Sequence, residues 1–191
     1  MFTKQLLSSL KKGFFIGFSA FLLGTGASIV ASKSSASPGF FEYQWDPEPG
    51  YTRLKYYQSS SERNDRSTYY FFLRGKERKE DIAKLTITVP DYFEAKIKTK
   101  KLNLCKVKVG GYTSRTRCIE NIPSLFKVNE KQTIIEILPE KPIPYNKDNY
   151  ALVMKIFNPR KRGMFQFRAL SQNADEIPIS TYLGTWNIDV Q

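Results

Sequence analysis

A period-two alternation of apolar and polar residues runs through most of this chain, and it limits the fold before any other feature is considered. Leu85, Ile87 and Val89 alternate with Lys84, Thr86 and Thr88 until Pro90-Asp91 ends the run. Phe165, Phe167 and Ala169 alternate with Gln166 and Arg168. Tyr182, Gly184, Trp186, Ile188 and Val190 alternate with Thr181, Thr185, Asn187 and Asp189. Successive side chains on a strand point to opposite faces, so each run offers one face to a core and the other to solvent. Tyr69 to Leu73, Leu102 to Val109, Thr133 to Leu138 and Tyr150 to Phe157 supply further strands, some apolar on both sides, as expected of positions covered on both faces. Outside the N-terminal segment no window sustains the i, i+3, i+4, i+7 pattern. Helix is therefore restricted to single turns near Asp91 to Glu94 and Asn121 to Leu125. These signals predict an all-β chain: a single immunoglobulin-like, Greek-key β-sandwich of about seven or eight strands.

Its organisation follows from composition shifts. Lys4, Lys11 and Lys12 precede an apolar run from Gly13 to Leu23, and small residues follow up to Ala36. Basic, apolar, then small is the order of a secretory signal peptide, with Ser34-Ser35-Ala36 as the cleavage site and Ala31 as a second choice. Retention as a membrane anchor is the alternative. It needs about 20 apolar residues, and Gly24, Thr25, Gly26 and Ser28 dilute the second half of the run. Residues 1–36 are thus read as a cleaved signal peptide, leaving no stable membrane span. Residues 37–66 form an irregular aromatic arm, with Phe40, Phe41, Tyr43, Trp45, Tyr51, Tyr56 and Tyr57 among Pro38, Pro47, Pro49 and Gly50. Its rings are expected to cover a second sheet face. Residues 67–191 make the sandwich. Pro139, Pro142 and Pro144 suit an extended crossover between sheets. Asp148-Asn149-Tyr150 after it is similar to a tyrosine corner, in which a Tyr hydroxyl bonds back to upstream backbone; an ordinary core tyrosine is the other reading.

Composition excludes several chemistries. The 191 residues contain no histidine, which removes His-dependent triads, zinc-hydrolase sites and blue-copper sites together. No loop alternates acidic calcium ligands, no glycine-rich phosphate loop occurs, and Ser59 to Ser61 has no base or strand–turn–helix setting. The expectation is a protein that is not an enzyme and has no cofactor or metal; a hydrolase with a carboxylate pair is the remaining catalytic option. Cys105 and Cys118 are the two cysteines. In an exported chain they are expected to form a disulfide across a hairpin turned at Gly110-Gly111, closing a loop worth about 3 kcal/mol on a chain-entropy argument.

Thirty Lys+Arg face 18 Asp+Glu in the whole chain. Four lysines and no acid lie in the first 36 residues, so residues 37–191 carry +8. Such a surplus favours anionic partners. Lys106 and Lys108 lie across the expected hairpin from Arg115 and Arg117, and these four are the candidate contact surface for an anionic envelope polysaccharide or an envelope protein; nucleic acid is not expected. The plainer account is that lysines guard an edge strand against aggregation. Aromatic residues make up 14% of the chain, so a carbohydrate-binding module using exposed rings is the alternative function.

The chain resembles a secreted family common in cyanobacteria, the domain of unknown function 2808, from about Phe41 to Ile188. The resemblance rests on Leu85-Thr86-Ile87-Thr88-Val89-Pro90, on Ser114-Arg115-Thr116-Arg117-Cys118, on Lys141-Pro142-Ile143-Pro144, on Phe157-Asn158-Pro159 with Gly163-Met164-Phe165, and on Leu183-Gly184-Thr185-Trp186-Asn187-Ile188. It implies export and location in the periplasm, at the outer envelope surface or outside the cell, and it transfers no catalytic or binding residue. Intact-mass measurement of envelope-derived protein should find a chain beginning near Ser37; a mass that retains residues 1–36 would make that segment an anchor.

Overall fold

Alternation becomes architecture in a computed structural model that describes residues 50–111, 114–174 and 179–191, all within the unit Gln44–Gln191. The expected signal peptide and residues 37–49 of the aromatic arm lie outside the described residues. Ten strands are described: β1 (Tyr56–Gln58), β2 (Arg66–Leu73), β3 (Lys84–Thr88), β4 (Leu102–Lys108), β5 (Arg117–Ile122), β6 (Ser124–Val128), β7 (Ile134–Pro139), β8 (Tyr150–Phe157), β9 (Gly163–Gln172) and β10 (Ser180–Val190). They form two five-stranded antiparallel sheets, ordered β1-β2-β8-β4-β5 and β10-β9-β3-β7-β6. The fold is the expected immunoglobulin-like sandwich, with more strands than seven or eight. The added ones lie at the lateral edges, where one-sided burial leaves no clean period. The single turn expected at Asn121 to Leu125 is instead the junction of β5 and β6 at Pro123, whereas the turn at Asp91–Phe93 is present as 3-10 helix.

Both lateral edges are closed by chain that passes from one sheet to the other. On one side the segment before β1 runs along β10, with Leu54 N–H donating to Thr185 O (2.9 Å) and Thr185 N–H to Thr52 O (2.8 Å). It then joins the opposite sheet as β1, pairing Tyr56 with Phe71 and Gln58 with Tyr69. On the other side β5 and β6 are consecutive, and Pro123 between them switches the chain from the edge of one sheet to the edge of the other. The described part of the aromatic arm is therefore a sheet-switching strand, with Leu54 buried in the core and Tyr56 packed against it.

The close approach at β10 requires glycine. Gly184 sits at a register shift in the β9–β10 pairing with φ +151°, and a Cβ there would lie 2.6 Å from Leu54 Cγ and 2.8 Å from Thr52 O. Inward residues of both sheets fill the interior around Trp186. The Phe71 ring lies 5.0 Å from Trp186 and 5.4 Å from Phe167, and Phe93 meets Phe165 and Phe167 edge-on at 5.0 and 4.9 Å. Offset and edge-on contacts suit the ring quadrupoles. Trp186 Nε1–H donates to Phe72 O at 3.3 Å, so this buried indole is satisfied.

One end of the sandwich is pinned by a buried amide. Asn158 is 3% exposed; its Nδ2 donates to Ser60 O (3.0 Å) and Glu62 O (2.7 Å), and its Oδ1 accepts the Tyr69 hydroxyl. Ser67, also buried, donates to Ser60 O at 2.9 Å. Together they anchor the β1–β2 loop to the start of the β8–β9 turn.

Two predictions follow from this packing. Gly184→Ala should lower unfolding free energy in urea by about 2–4 kcal/mol, since it combines a strained backbone with clashes against the Leu54 side chain and the Thr52 carbonyl; a loss within error would show that the arm yields freely. Burial raises the Tyr69 hydroxyl above its ordinary 10.0. Below that pH the group is neutral folded and unfolded alike. Above it the unfolded chain ionises first, so stability falls as pH climbs past 10.0. Tyr69→Phe should cost about 1–2 kcal/mol at neutral pH by orphaning Asn158 Oδ1, and it should flatten the alkaline decline relative to wild type in urea titrations.

Candidate binding surface

Cys105 and Cys118 form the expected disulfide, with Cα atoms 5.7 Å apart. The hairpin register differs from the symmetric one expected. Cys118 pairs with Val107 and Arg117 with Lys108, while Cys105 pairs with Asn121 and Lys106 with Glu120. A bulge at Ile119 absorbs the difference, and Gly111 forms an isolated antiparallel bridge with Ser114. Gly110 serves as a pinch point: its N–H donates to Thr116 Oγ1 at 2.9 Å, and a Cβ would lie 2.5 Å from Ser114 O. Cys105 is fully buried with Phe72, Val107, Ala151 and Val153 in a second apolar cluster, separate from the main core.

The four basic candidates are not brought together as one group. Lys108 and Arg117 are direct cross-strand partners and both are exposed. Arg115 is exposed in the connecting loop. Lys106 instead points its ammonium at Asp148, 2.7 Å away, and Glu120 is its cross-strand partner. The hydrogen bond to Asp148 raises the Lys106 pKa, so it is charged and already neutralised at physiological pH. Two of the four thus make a juxtaposed pair, a third is on a neighbouring loop and the fourth is engaged.

The loops at this end of the sandwich enclose two grooves. One, of about 520 Å³, lies between the β5–β6 junction and the β7–β8 crossover, with Pro123, Pro142 and Pro144 along it, Tyr150 and Ile143 among its lining, and Lys106, Glu120, Glu140 and Lys141 supplying mixed charge. The other, of about 370 Å³, is lined by the β2–β3 loop together with Arg53, Asn173 and Tyr182. Its carboxylates are all engaged: Glu77 with Arg74, Asp81 Oδ1 with Tyr145 N–H (2.5 Å), and Glu80 Oε2 with Asn173 Nδ2 (3.2 Å). Among the described residues no group of three or more His, Cys, Asp and Glu is placed to hold a metal ion, and no helix is long and apolar enough to cross a membrane.

The lining of the second groove includes Arg78, 2% exposed and missed by sequence reasoning because it sits in the charged run Arg74 to Asp81. Its guanidinium donates to Leu73 O, Pro144 O (3.2 Å), Asn146 O (3.0 Å), Asn146 Oδ1 (3.0 Å) and Asp148 O (3.1 Å), and lies 4.8 Å from the centre of the Tyr150 ring. Burial lowers its pKa, yet an arginine stays charged. Backbone carbonyls and a ring face, in place of a carboxylate, hold that charge. Tyr150 is a modified tyrosine corner: its hydroxyl accepts from the Asn146 side chain at 3.3 Å, four residues upstream, rather than bonding to backbone. The close fit of this loop also requires Gly75, whose Cβ would lie 2.5 Å from Asn146 O.

Comparison with known proteins gives a fold-level likeness and a family. None of the curated proteins matches the chain. Similar solved structures include a bacterial hydrophobin, BslA (13% identity over 73% of this chain and 91% of that one, TM-score 0.44), and the collagen-binding domain of a Staphylococcus aureus adhesin (12% identity, 72% and 96%, TM-score 0.42). An uncharacterised Nocardia farcinica protein with an immunoglobulin-like fold is similar too (11% identity, 72% and 97%, TM-score 0.42). At such scores the likeness is one of strand arrangement and says nothing of ligands. The family model described as "Protein of unknown function (DUF2808)" matches residues 40–190, so the match takes in both sheets, the disulfide hairpin, the Arg78 loop and the Asn158 anchor: the chain belongs to the DUF2808 family.

Proposed function

We propose that this chain is an exported, non-enzymatic protein of the cell envelope whose β-sandwich binds an anionic envelope component. The observation that carries the reading is the surplus of uncommitted positive charge. Residues 37–191 hold 26 Lys+Arg against 18 Asp+Glu. Among the described residues, Arg74, Lys84, Lys106 and Lys161 are in ion pairs. Lys108 and Arg117 instead face each other as like charges directly across a strand pair, an arrangement that costs stability. The disulfide supports export, since such bonds persist in oxidising compartments.

Fractionation of the native host tests the reading. The protein should be found with the envelope, and about 1 M salt should strip it off, because exposed charge contacts are screened at that ionic strength. Recovery in the cytoplasmic fraction, or envelope association that salt does not weaken, would remove the basis for an anionic partner.

A further inference from the structure

The four adjacent strands β1, β2, β8 and β4 contain no aspartate or glutamate. Their outward side divides into two halves. Near the disulfide it is the apolar cluster of Phe72, Ala151, Val153, Cys105 and Val107. Toward the other end it is basic, with Arg66, Lys155 and Phe157 exposed among the described residues. Lys155 and Phe157 follow Val153 at period two on β8, so they share its outward face. Arg66 is the direct cross-strand partner of Phe157, and its guanidinium lies 5.4 Å from the ring centre. Lys101, exposed, immediately precedes Leu102, whose partner Met154 adjoins Lys155.

Phe157 is 59% exposed, and one exposed ring by itself means little. Here its neighbour fixes it. Asn158 is buried, donates its backbone N–H to Asp65 O (2.8 Å) and ties its side chain to the β1–β2 loop, so the ring is held in place outside the sheet. The acid nearest in sequence, Asp65, directs Oδ1 to the backbone N–H of Arg66 (2.7 Å) and leaves that guanidinium uncancelled. On the opposite sheet Lys84 is matched to Glu136 at 2.5 Å, and Asp189 lies on β10.

We infer that the outward face formed by Arg66, Lys101, Lys155 and Phe157 is a binding site for an acidic polysaccharide. This rests on the anionic-ligand reading above and moves the site from the hairpin to the sheet face. An outward ring beside the Arg66 guanidinium, with Lys155 two residues earlier on the same strand face and Lys101 in the 3-10 turn leading into β4, matches a uronic or otherwise acidic sugar. The C–H face of the pyranose lies on the ring, and its carboxylates reach ammonium and guanidinium donors in charge-assisted hydrogen bonds. A lipid surface would be met by apolar side chains on protruding loops rather than by a ring lying in a strand row flanked by cations.

The full exported chain, disulfide intact, is titrated with sodium alginate, with carboxyl-reduced alginate and with an oligo-dT strand. The proteins compared are wild type, Lys101→Glu/Lys155→Glu, Phe157→Ala and Lys108→Glu/Arg117→Glu, all exposed changes whose folding is checked by thermal midpoint. The double sheet-face variant should bind alginate about ten-fold more weakly, as removal and reversal of two surface charges implies. Phe157→Ala should bind several-fold more weakly, the hairpin variant should bind as wild type, and carboxyl-reduced alginate should not bind. Binding lost in the hairpin variant and kept in the sheet-face variant overturns this inference while sparing the function reading. Oligo-dT bound more tightly than alginate, with Phe157→Ala neutral toward alginate, overturns the polysaccharide assignment. Wild-type protein that binds no polyanion overturns both.

Discussion

A two-sheet sandwich has four edges, and the way this chain crosses between them on each side governs the rest of its structure. Every edge strand presents unpaired N–H and C=O groups that another chain can use. Here residues 52–54 pair with β10 and residues 56–58 with β2, so one continuous segment joins the two sheets along one side. Pro123 does the same between β5 and β6 on the other. Because the first junction brings backbone within contact distance of β10, it demands a residue with no Cβ, and Gly184 with its bulge answers that demand. Next to the bulge, Trp186 can then drop fully into the core against Phe71. Edge closure, the glycine and the central indole are one structural unit.

The two ends of the sandwich are fixed by buried polar groups that use backbone carbonyls as partners. Arg78 gathers Leu73, Pro144, Asn146 and Asp148 at one end, and Asn158 gathers Ser60 and Glu62 at the other. A buried charge without acceptors is prohibitively costly. With acceptors, each hydrogen bond to a charged donor contributes about 1.5–3 kcal/mol. Since these acceptors belong to loops, the two knots convert segments that propensity leaves undefined into fixed walls: the grooves beside Tyr150 at one end and the seat of Phe157 at the other.

How much of this was legible in the sequence depended on whether the relevant signal was local. The strands that cover the core were visible because their alternation is written residue by residue, and the Asp91–Phe93 turn because Pro90-Asp91 marks it. β1 and β6 were not, and β5 was visible only as the return strand of the expected hairpin, since an edge strand with one covered side and exposed Ile119 or Leu125 has no regular apolar period. The disulfide was inferred from compartment and spacing, but its register was set by the Ile119 bulge and not by the glycine pair. For the candidate surface the limit was tertiary pairing. Lys106 looked equivalent to Lys108 along β4, and only the fold brings Asp148 to it from the β7–β8 loop. Arg78 looked solvated within a run of charges; its burial is a property of the carbonyls that converge on it.

Charge distribution is where fold and function meet. Opposite charges on neighbouring strands of one sheet stabilise each other, as Lys84 and Glu136 do, and the Lys84 hydrogen bond holds the Glu136 carboxyl below its ordinary pKa. Strands β1, β2 and β8 carry no acid and so have no such pairing among them; β4 carries none either, but its Lys106 meets Glu120 on β5 and Asp148 in the loop preceding β8. Like charges on adjacent strands are mildly destabilising, and a sequence under selection for stability alone gains from interspersing acids among them. A fold that places unmatched cations around an immobilised, outward ring therefore accepts a standing electrostatic cost on one face. Negative charge arriving from outside the chain would relieve that cost, which is the physical basis of the proposed site.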